Sequence, residues 1–128
     1  KMKQAVFVSR DKAQFKGLEQ MLGQHSIEIK WCATGKELLS LIANTPKGQW
    51  IDLVIMEEAL SDMNAKVLVE AVTTQSPMTN CAISGTMDKK QFHDVYEGYG
   101  VLMQLPVQPG QDDARNLENQ LKKIRLLG

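Results

Sequence analysis

The sequence predicts an α/β domain in which helices cover both faces of a parallel sheet. Short apolar segments alternate five times with longer segments whose apolar residues recur at helical spacing. The central apolar segment, residues 50–56, ends at two carboxylates, Glu57 and Glu58. Such a run is typical of a strand that is buried on both faces. The length of 128 residues suits one domain with a two-faced core, and we interpret residues 1–128 as that domain.

The first unit combines a short apolar strand at residues 4–9 with an amphipathic helix. Asp11 is well placed to cap this helix, because a short carboxylate can accept a hydrogen bond from a free backbone N–H. Gly23 is expected to end the helix. The apolar stripe comprises Phe15, Leu18, Met21 and Leu22.

The second unit begins at residues 27–31, where apolar and polar side chains alternate. This period of two predicts a strand with one exposed face, near the edge of the sheet. Thr34 and Gly35 are expected to turn the chain, and residues 44–48 to end the helix that follows. The apolar residues of this helix are Leu38, Leu39, Leu41 and Ile42.

The last three units follow the same pattern. The third begins with the strand at residues 50–56, and its helix ends before Ser76. The fourth has a strand at residues 80–84 and a helix that Asp88 can cap. The fifth has a strand at residues 101–105 and a final amphipathic helix. The apolar positions of the three helices are Val67, Leu68, Ala71 and Val72, then Phe92, Val95 and Tyr96, then Leu117, Leu121, Ile124 and Leu127.

This order of elements predicts a flavodoxin-like three-layer sandwich, with a five-stranded parallel sheet of order 2-1-3-4-5 and helices on both faces. Ligands of open α/β sheets gather beyond the carboxyl ends of the strands, so Glu57 and Glu58 lie where a site is expected. No Gly-x-Gly-x-x-Gly follows the first strand, and no phosphate loop with a Lys-Ser/Thr pair is present. These absences argue against nucleotide binding by the usual backbone cradles.

Composition narrows the functional classes further. The chain has 15 basic and 15 acidic side chains, and this balance gives no electrostatic reason for contact with nucleic acid or an anionic membrane. No apolar run approaches the ~20 residues that a membrane span needs, and no signal peptide is visible. We therefore expect a cytoplasmic protein that binds neither membrane nor nucleic acid directly.

The cysteines and histidines predict no special chemistry. Cys32 and Cys81 fall on strands that are not neighbours in the proposed sheet, so we expect two buried thiols and no disulfide. His25 and His93 are far apart in polar contexts, and we expect both at the surface. No Cys/His spacing matches a zinc site, and we predict neither a metal nor a cofactor.

Residues 52–65, DLVIMEEALSDMNA, resemble the third strand and following loop of the receiver domain of bacterial two-component response regulators. Residues 33–39 are similar to the segment that opens the second helix of the family, and Leu105-Pro106 lies where the family carries Lys-Pro. The resemblance covers nearly the full length and implies the CheY-like form of the flavodoxin-like fold. It also assigns the functional positions of the family to residues of this chain.

The phosphoacceptor position falls on Glu57. The magnesium-binding acidic pair falls on Ser9 and Arg10, or on Arg10 and Asp11 in a register shifted by one. The switch hydroxyl falls on Ser84, the aromatic switch on Leu102 and the lysine on Leu105. Of the family's residue types only the switch hydroxyl, Ser84, survives in the first register.

The replacements predict a degenerate receiver that does not accept phosphate. Phosphoryl transfer depends on neutralising charge on the transferring oxygens, chiefly with Mg²⁺ and a lysine. Arg10 brings positive charge to a metal-ligand position, and Leu105 cannot donate a hydrogen bond. The extra methylene of Glu57 displaces its oxygens by about 1.5 Å. A misplacement of that order costs roughly 100-fold in rate, so we expect no catalytic residue to be active and no enzymatic activity.

Two hypotheses concern the altered pocket. In the first, the guanidinium of Arg10 replaces the missing cation and pairs with Glu57 or Glu58, since its planar fork matches a carboxylate. In the second, Glu57 mimics a phosphorylated aspartate and holds the domain active. The second hypothesis is weakened by Leu102, because the family transmits the signal by rotating an aromatic side chain at that position.

With no active catalytic residue expected, we look for the function of the domain on its exposed surface. The resemblance implies that helix 4, strand 5 and helix 5, here roughly residues 89–98, 101–105 and 112–126, form the face for dimerisation or for contact with an output domain. Tyr96, Tyr99 and Met103 are candidate contacts on this face, because aromatic residues and Met are enriched in interfaces. We expect a phosphorylation-independent module of a larger signalling protein. Its partner is a separate protein or an attached output or sensor domain, with a homodimer through the same face as a further possibility.

Two alternatives stay open at this point. The domain could still be phosphorylated with Mg²⁺ at an unusual carboxylate such as Glu57 or Asp62. It could also be a small flavin-binding carrier of the same fold class, although no Ser/Thr-rich phosphate loop follows the first strand.

Overall fold

A computed structural model, which describes residues 2–128, has five parallel strands in the predicted order β2-β1-β3-β4-β5, with helices on both faces. A short 3₁₀ turn, Lys12–Phe15, precedes the first helix. The elements are β1 (Gln4–Val8), α1 (Lys16–Gln24), β2 (Glu28–Cys32), α2 (Gly35–Ala43), β3 (Leu53–Glu57), α3 (Ala65–Gln75), β4 (Asn80–Ser84), α4 (Lys89–Tyr96), β5 (Val101–Leu105) and α5 (Gln111–Lys123).

Two apolar cores flank the sheet, because successive side chains of a strand point to opposite faces. On β3, Leu53 and Ile55 face the core that α1 and α5 cover, whereas Val54 and Met56 face the core under α2, α3 and α4. All four side chains are fully buried. The central strand is therefore apolar along its length until it reaches Glu57, which places the first polar group of β3 at the carboxyl edge of the sheet.

The start and end of the first helix differ from the prediction. The side chain of Asp11 makes no capping bond; instead, the N–H of Asp11 donates to Oγ of Ser9 over 2.9 Å. Gly23 lies inside α1, which continues to Gln24. The chain reverses at Ser26, whose φ of 59° is in the left-handed region.

Other boundaries were wrong by a few residues. Thr34 and Gly35 do not form a separate turn: Thr34 caps α2, and Gly35 is its first residue. Trp50 precedes the paired part of β3 and is exposed. Val67 and Ile124, which are 49% and 41% exposed, do not belong to the buried stripes of their helices. By contrast, β4, β5 and the Asp88 cap of α4 are where the sequence predicts them.

The cysteines are free, buried and on non-adjacent strands, as predicted, and burial raises the pKa of Cys81 to about 12. His93 is exposed, but His25 is not a free surface residue, because its Nε2 lies 2.6 Å from Oε2 of Glu118 on α5. Across residues 2–128, none of the helices is both long enough and apolar enough to cross a membrane.

Candidate functional site

The carboxyl ends of the central strands surround a small cavity of about 180 Å³, which we call the mouth. Glu57 is the last residue of β3 and pairs in register with Ser84, the last residue of β4. The predicted site residues Glu57 and Ser84 therefore do lie side by side. The lining residues are Gln14, Glu57, Glu58, Ala59, Ser84, Gly85 and Val107.

The carboxylate of Glu57 is held by the side-chain amide of Gln14. Nε2 of Gln14 donates to Oε1 of Glu57 over 2.9 Å and approaches Oγ of Ser9 at 3.3 Å. Ser9 is buried, and its hydroxyl also accepts from the N–H of Asp11. Gln14 thus connects two of the predicted site positions. Sequence reasoning missed it, because it lies in the turn after β1, which carries no motif.

The hypothesised ion pair of Arg10 is wrong. Arg10 is exposed, and in the part of the chain that the structure describes it makes no salt bridge with Glu57 or Glu58. The bond from Gln14 already satisfies one oxygen of Glu57, so a neutral amide occupies the place where we expected a cation.

Glu58 faces the loop between β4 and α4. Its Oε2 accepts from the N–H of Thr86 over 3.2 Å, and its own N–H donates to the carbonyl of Ser84 over 2.8 Å. A Cβ on Gly85 would lie 2.7 Å from Oε2 of Glu58 and 3.0 Å from its Cβ. Only glycine leaves room for this approach, which fixes the β4–α4 loop against the carboxylate.

The predicted switch hydroxyl points to another partner. Ser84 is buried, and its Oγ donates to the carbonyl of Pro106 over 3.1 Å. Leu105, at the lysine position, is fully buried in the core under α1 and α5. Leu102, at the aromatic position, lies at a register shift between Cys81 and Ala82, where β5 carries one residue more than β4. It packs half-buried against the same core as Leu105.

Asp62 lies outside the mouth. Its two oxygens accept from the N–H groups of Gly35 and Lys36 at the start of α2, over 3.0 and 2.9 Å. These backbone bonds lower the pKa of Asp62. A Cβ on Gly35 would lie 2.6 Å from Sδ of Met63, so the β3–α3 loop rests directly on the first turn of α2.

The residues of the mouth do not fit a magnesium site. Magnesium requires several oxygen ligands in near-octahedral geometry. Here one oxygen of Glu57 holds an amide, Glu58 turns towards Thr86, and Arg10 is exposed. No group of three or more His, Cys, Asp or Glu side chains within residues 2–128 is arranged to hold a metal ion.

A larger groove of about 590 Å³ lies between α4 and β5, and we call it the α4–β5 groove. Of the predicted contact residues, Tyr99 and Met103 are partly exposed. Tyr96 is 4% exposed and packs beside Phe92 in the core; burial, together with the negative charge of Glu58, raises its pKa. The groove is lined by Lys89, Phe92, His93, Tyr96, Glu97, Gly98, Tyr99, Val101, Leu102, Met103 and Gln104.

Neither a protein-family model nor a curated protein sequence matches the chain. Many solved structures do match. A signal receiver domain of an HD domain-containing protein from Pseudomonas fluorescens Pf-5 is 18% identical, with a TM-score of 0.75 and coverage of 96% of this chain and 94% of that chain. The chemotaxis response regulator CheY4 of Vibrio cholerae is 17% identical, with a TM-score of 0.76 and coverage of 94% and 100%.

A response regulator receiver domain protein from Methanospirillum hungatei JF-1 is 20% identical, with a TM-score of 0.72 and coverage of 96% and 99%. The chain therefore has the fold of response regulator receiver domains, as the resemblance in sequence implies. At this level of identity the likeness concerns the fold, so the function is argued from the chain's own residues.

Proposed function

We propose that the chain is a receiver-like signalling module that acts through protein–protein contact and does not depend on phosphorylation. The observation that supports this most directly is the bond from Nε2 of Gln14 to Oε1 of Glu57. A carboxylate that is to attack a phosphoryl group needs cations beside it. Here its near neighbours are a neutral amide, a serine hydroxyl and a second carboxylate.

The surroundings of the mouth favour the same conclusion. Leu105, at the position where the family carries a lysine, is apolar and fully buried, and the cation of Arg10 is exposed. Ser84 is bonded to the carbonyl of Pro106 and is not aimed at Glu57. Glu57, Glu58 and Ser84 thus each have an internal partner, which favours one fixed arrangement of the loops.

We propose that the α4–β5 groove is the docking surface for a separate protein or for an attached output or sensor domain. Its apolar and aromatic lining resembles the composition of protein interfaces. Lys89, His93 and Glu97 also line the groove and can make polar contacts with a partner. A homodimer through the same face is a different use of the groove, and the oligomeric state measured by sedimentation would distinguish it.

Phosphorylation is tested by incubating the chain with acetyl phosphate and Mg²⁺ and measuring its intact mass. We expect no change, whereas a receiver domain that is known to be phosphorylated, treated in parallel, gains one phosphoryl group. A stable gain of one phosphoryl on this chain would favour the other candidate, a receiver that accepts phosphate at Glu57 or Asp62, and peptide mapping would identify which residue carries it.

Docking is tested with Met103→Glu, which places a charge in the groove, and with Lys16→Met as a control on the exposed surface of α1. A protein that binds the parent and the control but not Met103→Glu supports the groove as the docking surface. Equal binding to all three would exclude the groove as the docking surface. Met103→Leu, which keeps the apolar volume, is expected to bind like the parent.

A further inference from the structure

Helix α4, one wall of the α4–β5 groove, is held only weakly by burial. Among its eight residues only Tyr96 is buried, whereas four of the eleven residues of α3 are buried. Phe92 and Val95 are half-buried, and the other residues are exposed. An element with so little buried surface opens locally unless other contacts hold it.

Polar contacts from α3 hold the C-terminal end of α4. Nζ of Lys66 donates to the carbonyl of Val95 over 2.8 Å. A cation at the C-terminus of a helix is favourable, because it satisfies a free carbonyl and opposes the negative end of the helix dipole. The same ammonium lies 4.1 Å from the centroid of the Tyr99 ring, which is cation–π geometry. Oη of Tyr99 in turn donates to Oε2 of Glu70, one turn further along α3, over 3.1 Å.

A second set of contacts holds the N-terminal end. The side-chain amide of Gln104 on β5 donates to the carbonyl of Met87 and accepts from its N–H, over 2.8 and 3.0 Å. Both ends of α4 are thus attached by polar bonds to elements that are better buried. Tyr99 and Gln104 also line the groove, so the groups that hold the helix are themselves part of the docking surface.

We propose that Lys66, Glu70 and Tyr99 form a latch that fixes the C-terminal end of α4 and so sets the shape of the α4–β5 groove. These are positioning residues, since Lys66 and Glu70 act on the groove through Tyr99 and Val95. The relevance of the latch to docking depends on the function proposed above, but its effect on α4 does not.

The first test measures amide hydrogen exchange in Lys66→Met, which removes the ammonium and keeps an unbranched side chain. The amide of Glu97, bonded to the carbonyl of His93, reports on the C-terminal end of α4. Its exchange is expected to become about tenfold faster, because one charge-assisted hydrogen bond and one cation–π contact are lost. Lys66→Arg keeps the charge, so the Glu97 amide should exchange about as slowly as in the parent. Lys16→Met serves as the matched control.

The second test uses the methyl resonances of methionine. Lys66→Met and Tyr99→Leu should shift or broaden the Met103 methyl in the groove. The Met63 methyl, which rests on α2, should not change. Lys66→Met introduces one methionine of its own, and its resonance is recognised because it is absent from the spectrum of Tyr99→Leu. Unchanged exchange at Glu97 would overturn the latch, and an unchanged Met103 methyl would overturn its effect on the groove.

The two proposals fail separately. If exchange responds to Lys66→Met but Met103→Glu still binds the partner, the latch stands and the groove is not the docking surface. If Met103→Glu abolishes binding and exchange does not respond, the groove stands and the latch is wrong.

Discussion

The mouth, at the carboxyl ends of β3 and β4, and the α4–β5 groove are built differently. In the mouth, Glu57, Glu58 and Ser84 each bond to another group of the chain, and the remaining space is about 180 Å³. The groove is about 590 Å³, and its side chains Leu102 and Met103 are only partly covered. At the end of the sheet where chemistry is expected, the polar side chains are bonded within the chain, whereas the larger groove lies beside α4.

This contrast separates a site whose polar groups are bonded within the chain from a groove whose apolar side chains are partly exposed. Glu57, Glu58 and Ser84 each bond to a residue from a neighbouring element, and such bonds hold loops together without an external ion. The groove depends on apolar side chains that are partly exposed, and such surface is stabilised when a partner covers it.

Leu105, which pairs with Ser84 beside the mouth, and Leu102, which lines the groove, are the same residue type, and truncating each one is expected to show the largest difference. Leu105→Ala should lower the free energy of unfolding by about 3 kcal/mol, since a fully buried leucine leaves a cavity. Leu102→Ala should cost about 1 kcal/mol, because the half-buried side chain loses less. Urea denaturation measures both, and equal losses would contradict the contrast between the regions.

Gly85→Ala tests how tightly Glu58 closes the mouth. The added methyl would meet the Glu58 side chain at 2.7 Å, so we expect a loss of about 2 kcal/mol of stability. The double variant Gly85→Ala/Glu58→Ala removes the two closest contacts, those with Oε2 and Cδ of Glu58, but keeps the contact with its Cβ. It should recover about half of the loss, since the bond to Thr86 is also gone. If the two single losses simply add in the double variant, the close approach is not what requires glycine.

Gln14→Ala tests the amide that replaces a cation. Removing it leaves the half-buried Glu57 without its donor, which should cost about 1 kcal/mol of stability. Gln14→Leu keeps the volume and should cost at least as much, because the loss concerns the hydrogen bond. Thermal unfolding of both variants gives the comparison, and no loss in Gln14→Leu would show that Glu57 needs no partner.

The sequence was sufficient to predict the fold, because the pattern of buried and exposed side chains dictates it. The run that ends at Glu57 and the alternation in β2 are local patterns, and they place each strand in the sheet correctly. The partners in the mouth were not predictable in this way. Gln14 and Glu57 are 43 residues apart, and nothing local distinguishes this glutamine from an exposed one.

The same limit applies to positions that depend on pairing between strands. Leu102 lies at a register shift that only the pairing of β4 with β5 reveals. The interpretation of Arg10 as a replacement cation was wrong, because charge alone does not determine where a side chain points. Whether the positions taken from the resemblance act as vestiges of a relay stays a prediction.

Asp62, outside both regions, provides the smallest expected effect and a test by pH. Its bonds to the N–H groups of Gly35 and Lys36 lower its pKa in the folded state, so they stabilise the fold above the unfolded pKa of about 4. That contribution is lost as the pH falls through the lower, folded pKa.

The stability difference between the parent and Asp62→Ala should therefore be constant near neutral pH and shrink in acid. Asp62→Asn, which can still accept from α2, should lie between them at neutral pH and show a weaker pH dependence. A difference that persists unchanged in acid would mean that Asp62 holds α2 by packing and not by its charge.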